Sequence, residues 1–141
     1  MLVRLLYASR SVETLCKDSV NAIMAESQAH NPHKGVTGVL CYSGGIFMQV
    51  LEGGRDIVNT LYAHILQDKR HKDVILLHYE EISERRFSCW TMGQVNLAKL
   101  NTSVLLKYSD LPELNPYTTT GKAAMALIEE LIASASVVTR V

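Results

Sequence analysis

The apolar residues of this sequence switch back and forth between the period of a strand and that of a helix, and the order of the switches leaves few folds open. Residues 2–9 alternate, with Val3, Leu5, Tyr7 and Ser9 on one face and Leu2, Arg4, Leu6 and Ala8 on the other. From about Val12 to Asn31 the spacing is helical and puts Cys16, Val20, Ile23, Met24 and Ser27 on one side, with Ser11 as N-cap and Pro32 as the stop. Val36–Tyr42 and Ile46–Glu52 read as two strands joined across Ser43-Gly44-Gly45, a hairpin signal. A second helix over Gly54–Gln67 is expected to bury Ile57, Val58, Leu61, Ile65 and Leu66. Val74–Tyr79 has the continuous apolar character of a buried strand, and Thr91–Val95 makes a last short one.

This order, β-α-β-β-α-β with one further strand, is that of a ferredoxin-like βαββαββ sheet of the α+β class, with both helices on one face. Beyond residue 97 the character changes. Leu97–Tyr108 reads as a short helix, Pro112 and Pro116 mark a loop, and Thr119–Ala135 carries a helical stripe of Ala124, Leu127, Ile128, Leu131 and Ile132. The chain thus divides into a domain over 1–97 and a C-terminal two-helix extension over 98–141. The extension's stripe must be hidden, either against the sheet's bare face or against another subunit, and the sequence leaves both open.

Composition narrows the function classes. The 141 residues are 48% hydrophobic and 20% charged with a formal net charge of zero, so one globular core is expected and no strong field exists to attract nucleic acid or an anionic membrane. No apolar run approaches the ~20 residues needed to cross a bilayer, and Met1–Tyr7 lacks the marks of a signal peptide, so a cytoplasmic location is expected. Cys16, Cys41 and Cys89 are odd in number and contain no Cys-x-x-Cys pair. They read as buried small hydrophobes rather than a disulfide, metal ligands or a nucleophile.

Three features look out of place. Alternation puts Gln49 on the same face as Phe47 and Leu51, and a buried amide without partners costs ~1–3 kcal/mol. A bond to backbone or water would satisfy it. Ile23, Ser27 and Asn31 recur at every fourth position and form a stripe that turns polar toward the helix end, although Asn31 by itself also suits a C-cap or a loop before proline. Tyr7 shares its face with Val3 and Leu5, as a core tyrosine would, and its hydroxyl needs a partner. Together, a phenol, an amide and a polar helical stripe describe a pocket for a flat heteroaromatic ligand.

Tyr7-Ala8-Ser9, His30-Asn31, Gly35-Val36-Thr37-Gly38-Val39-Leu40, Gly45-Ile46-Phe47-Met48-Gln49-Val50-Leu51-Glu52-Gly53, Asp68-Lys69-Arg70-His71 and Phe87-Ser88-Cys89-Trp90-Thr91-Met92-Gly93 resemble the BLUF domain, a sensor of blue light using flavin. The likeness spans about residues 2–97, and the C-terminal part looks like the helical cap of the short, stand-alone members. Lys69 departs from the pattern, where many members carry another residue, often proline.

The resemblance implies a flavin chromophore, FAD by family usage, with FMN or riboflavin also compatible with a ring pocket. Tyr7 would give an electron and a proton to the excited flavin, and Gln49 would bridge the Tyr7 hydroxyl to the flavin N5/O4 edge and rearrange in light. Asn31 would bond the O4/N3 edge, Ser27 would lie near Gln49, and Ile23 and Leu40 would pack on the ring. Trp90 and Met92, on one face of the last strand, would sense Gln49 and pass its change outward. Arg70 and His71 would contact the ribityl-phosphate end, and His30 and Asp68 join the expected flavin-binding set. An unidentified downstream protein and a homo-oligomer are the expected partners, with neither nucleic acid nor membrane among them. No nucleophile–base pair, metal-ligand spacing or glycine-rich phosphate loop is present, so no enzymatic turnover is expected. Two rival readings are a flavin-dependent redox enzyme, which needs open substrate space over the ring, and a ligand-free interaction module with satisfied core polar groups.

Overall fold

A computed structural model describes residues 1–12, 33–89 and 91–133. Five strands form one sheet: β1 (Leu2–Ser11), β2 (Thr37–Ser43), β3 (Ile46–Gly54), β4 (His71–Ile82) and β5 (Gly93–Asn96). Helix α1 (Arg55–Gln67) joins β3 to β4, and a 3-10 turn (Leu97–Lys99) leads into α2 (Thr102–Tyr108) and α3 (Gly121–Ala133). The strand order is β4-β1-β3-β2-β5, with β1 antiparallel to β3 and β4, β2 antiparallel to β3, and β5 parallel to β2. This is the α+β sheet that the pattern of periods implies. The helix expected over Val12–Asn31 lies outside the described residues, apart from Val12 itself, and β1 runs on through Ser11, the residue read as its cap.

The β2–β3 hairpin closes through Gly44 and Gly45 at φ 52° and 91°. Two successive positive φ values suit the right-handed twist of the strands, and glycine adopts them without steric cost. That turn fixes the β2–β3 register and hence which β3 side chains face which way.

Both faces of the sheet are covered. On one, Val3, Leu5, Tyr7, Leu40, Phe47 and Leu51 pack with Val36, Val58 and Met92, and with Leu61, Tyr62 and Ile65 of α1 at their margin. On the other, Leu6, Val39, Cys41, Met48, Val50 and Val95 pack against Leu105 of α2 and Ala124, Leu127, Ile128 and Leu131 of α3. The described part of the C-terminal stripe therefore packs on the face of the sheet that the pattern of periods leaves bare. Lys107 and Tyr108 both bond Glu130, tying α2 to α3, and Arg86 ion-pairs with Glu129.

Several expectations are corrected. The apolar run of β4 belongs to an edge strand, with Ile75 and Leu76 exposed at 39% and 48%. On α1 only Val58 is fully buried, while Ile57 and Leu66 face outward. The expected single helix over Leu97–Tyr108 is broken in two, because Asn96 caps only a 3-10 turn and the Asn101 side chain then accepts the Ser103 N–H and starts a new helix. Cys41 is buried, which pushes its thiol up to about 12, but Cys89 is exposed and Cys16 lies outside the described residues.

α3 begins at Gly121, after Thr120 accepts its first N–H groups, and the backbone of Gly121 runs against β4. A Cβ added at Gly121 would stand 2.2 Å from the Leu77 carbonyl oxygen and 2.9 Å from its carbon. Alanine would gain ~1 kcal/mol of helix propensity, but the clash is with backbone and overpacking costs ~1–3 kcal/mol. Gly121→Ala is therefore expected to lower the urea midpoint. A raised midpoint would mean that α3 does not seat on β4.

Candidate functional site

The central strand β3 organises the site. Its register sets Gln49 opposite Tyr7 of β1 and opposite Leu40 of β2, and all three are buried. The Tyr7 hydroxyl donates to Gln49 Oε1 at 2.5 Å. Gln49 Nε2 donates to Met92 Sδ at 3.4 Å. The two ends of the amide thus meet unlike partners, a strong O–H donor at one side and a weak thioether acceptor at the other. Met92, expected on β5, instead lies just before it, where its fully buried side chain reaches under Gln49.

Burial, reinforced by the Asp68 carboxylate and Tyr62 and opposed by Arg70, holds the Tyr7 phenol well above the ordinary tyrosine range. Its hydroxyl keeps its proton at neutral pH and stays a donor. The Tyr62 ring lies 5.7 Å from that of Tyr7, tilted by 49°, and the His71 ring stands edge-on at 6.4 Å.

Asp68, Arg70 and His71 gather where α1 gives way to β4. The Arg70 guanidinium embraces the Asp68 carboxylate with bonds of 3.0, 3.1 and 2.6 Å, and this bonding holds Asp68 below the usual carboxylate range. The His71 ring is held from both sides, with Nδ1 at 2.8 Å from Ser9 Oγ and Nε2 at 2.6 Å from the Ile65 carbonyl oxygen. A carbonyl oxygen only accepts, so Nε2 carries a hydrogen and Ser9 is free to donate to Nδ1. His71 therefore pins β1 to the end of α1 beside the Tyr7 ring. Ile23, Ser27, His30, Asn31 and Trp90 lie outside the described residues.

A buried ion pair escaped the sequence reading. Arg4 and Glu52 are register partners on β1 and β3, 2% and 0% exposed, with Arg4 Nη2 at 2.7 Å from Glu52 Oε2. Arg4 also bonds Glu80 at 2.5 Å on the neighbouring strand. Glu52 accepts the backbone N–H groups of Arg86 and Phe87 as well, so it anchors the connection from β4 to β5. The signal was available: an arginine on the Leu2/Leu6 face, level with an acid once the hairpin register is fixed. Tyr62 was also passed over, although it continues the inward stripe of α1 that runs through Val58 and Ile65.

The described residues suit one edge of a flavin ring. The Gln49 amide has two N–H hydrogens, and its Nε2 meets only the Met92 thioether among the described residues, so donor capacity remains inside a buried site. A ring nitrogen or carbonyl would use it. Among the described residues no cluster of His, Cys, Asp or Glu could hold a metal ion, and no described helix is long and apolar enough to cross a membrane.

A family model described as BLUF, sensors of blue-light using FAD, matches residues 2–93. Photoactivated adenylate cyclase subunit beta of Euglena longa is 37% identical over 102 residues, covering 72% of this chain and 12% of the relative. Its counterpart in Euglena gracilis matches equally, at 37% over 102 residues. The chain thus spans about an eighth of these curated relatives (12%). Among solved structures, the BlsA photo-activated state superposes with a TM-score of 0.83 at 28% identity, covering 100% of this chain and 99% of that one. BlrB, a BLUF protein in its dark state, gives 0.79 at 30% identity, covering 95% and 96%.

Proposed function

This chain belongs to the BLUF family of blue-light sensors, and on that premise we propose that Tyr7 and Gln49 form its switch and that the C-terminal helices carry the switch's state to a partner protein. The observation that carries this reading is the buried chain Tyr7–Gln49–Met92, in which a bistable amide joins a redox-capable phenol to a packed sensor residue. Flavin, when bound, supplies light absorption and an electron-accepting ring. FAD is the form named for the family, and FMN or riboflavin shares the same ring.

Tyr7 gives an electron and its hydroxyl proton. Gln49 Oε1 then loses the Tyr7 donor, and the amide is free to rearrange without backbone movement. Nε2 leaves or reorients against Met92, so the thioether feels the change. From Met92 the chain offers a short way across the sheet: Met92 packs under α1, while Phe87, just before it, packs among the residues of α3. Arg86 extends that way to Glu129 of α3. In this reading residues 1–97 sense and the extension from 98 onward reports, to a downstream protein in the cytoplasm or across a homo-oligomer. Ile23, Ser27, His30, Asn31 and Leu40 would hold the ring, Asp68, Arg70 and His71 the ribityl-phosphate end, and Trp90 would share the sensing role of Met92.

Gln49→Leu tests the switch. The variant is expected to fold and bind flavin but to give no reversible red shift under blue light, because no amide remains to turn. The Tyr7 hydroxyl loses its acceptor, at ~1–3 kcal/mol, partly offset by removal of the buried amide itself. A normal photocycle in Gln49→Leu would overturn the amide as the switch.

A further inference from the structure

We propose that Tyr62 is a second redox-active tyrosine, an outlet that drains the oxidised form of Tyr7 toward solvent. The inference rests on the reading of Tyr7 as the electron donor.

The geometry carries it. Tyr62 projects from α1 onto the Tyr7 ring, and the centroid separation of 5.7 Å is that of a contacting aromatic pair. The two side chains are chemically identical, so their environments alone decide where an unpaired electron settles. Once the flavin has taken one electron, the phenol whose proton can escape to water holds the unpaired electron more lastingly than one whose proton can only return from the flavin. The Tyr7 hydroxyl is sealed in the core, 4% exposed, and donates to Gln49. Tyr62 is only partly buried, and among the described residues no partner meets its hydroxyl, so water can take its proton. Burial raises the proton affinity of both phenols, but Tyr7 is fully enclosed and Tyr62 is not. His71, the other ring beside Tyr7, is already tied through both nitrogens.

The step balances. Once Tyr7 has given one electron and one proton to photoexcited flavin, Tyr62 passes one electron to Tyr7 and releases its hydroxyl proton to water. The Tyr7 oxygen takes back the proton it gave to the flavin, so none has to enter the sealed core, and the flavin keeps the electron. One O–H bond breaks, one forms, and the unpaired electron moves from the buried ring to the accessible one. Tyr62 thereby competes with the return of the electron to Tyr7 and diverts part of each excitation out of the reversible cycle.

The test uses the full chain loaded with flavin, held under prolonged blue light with a nitroso spin trap, and read by electron paramagnetic resonance and peptide mass spectrometry. The trap adduct is expected on Tyr62 in the wild type, and it should disappear in Tyr62→Phe, which keeps the ring packing. It should also disappear in Tyr7→Phe, since Tyr62 is oxidised only through Tyr7. A normal red shift with no Tyr62 adduct overturns the outlet and leaves the switch standing. An adduct that persists in Tyr7→Phe overturns it too, because Tyr62 would then be oxidised by another route. A wild type without any red shift overturns the photoswitch reading and the outlet together.

Discussion

Tyr7→Phe is expected to leave a folded, flavin-binding protein in which the reversible red shift is abolished. The phenyl ring keeps its contacts with Tyr62 and with the Leu5 and Leu40 layer, so the pocket holds its shape. What is lost is one hydroxyl with three duties. In the proposed mechanism it is the easily oxidised group and the source of the proton that travels with the electron, and in the structure it is the strong partner that fixes Gln49. Removing it orphans Gln49 Oε1, a cost of ~1–3 kcal/mol that a sheet covered on both faces should survive. Steady-state absorption before and after blue light, with a urea melt for integrity, reads both effects. A red shift of ordinary size and lifetime would show that another donor serves the flavin and that the proposed mechanism is wrong.

That experiment and Gln49→Leu remove opposite ends of one hydrogen bond, so they separate the electron source from the switch. Tyr7→Phe should lose the early charge separation as well as the product. Gln49→Leu should retain fast quenching of flavin emission by Tyr7 while losing the lasting product. Equal behaviour of the two would mean that the bond itself, rather than either group, is what light acts on.

How much of this could be read from the sequence depends on what fixes each feature. Strand faces follow from alternation, so Tyr7 and Gln49 could be assigned to the side beneath the helices. Their direct opposition could not, because it needs the β1–β3 register, which pairs residues far apart in the chain. The hairpin was legible since paired glycines announce positive φ. The edge position of β4 was not: Val74–Tyr79 has the same apolar run whether a neighbour pairs with it or not, and only topology exposes Ile75 and Leu76. The stripe of α3 was legible as something to hide, while its cover, the second sheet face, came from the fold. Met92 bonds Gln49, but the strand to which alternation assigned it begins one residue later.

The largest expected loss of stability comes from the pair that alternation did not reveal. Glu52 has no solvent exposure, and it receives Arg4 together with the backbone N–H groups of Arg86 and Phe87. Glu52→Leu leaves the Arg4 guanidinium buried with only Glu80, whose side chain is 41% exposed, and it orphans two backbone donors. Breaking a buried pair from one side costs ~3–5 kcal/mol. Arg4→Met alone should cost less than Glu52→Leu, because the remaining carboxylate keeps its backbone donors. The double variant Arg4→Met/Glu52→Leu should recover most of the charge penalty yet stay below the wild type by ~1–3 kcal/mol, the cost of leaving the loop's N–H groups unpaired. Urea denaturation of all four proteins closes the cycle. The same connection leads to Met92, so Glu52→Leu should also speed hydrogen exchange over residues 86–89 even under conditions where the fold is intact. Full recovery in the double variant, with unchanged exchange there, would show that Glu52 serves only to balance Arg4 and does not hold the connection between β4 and β5.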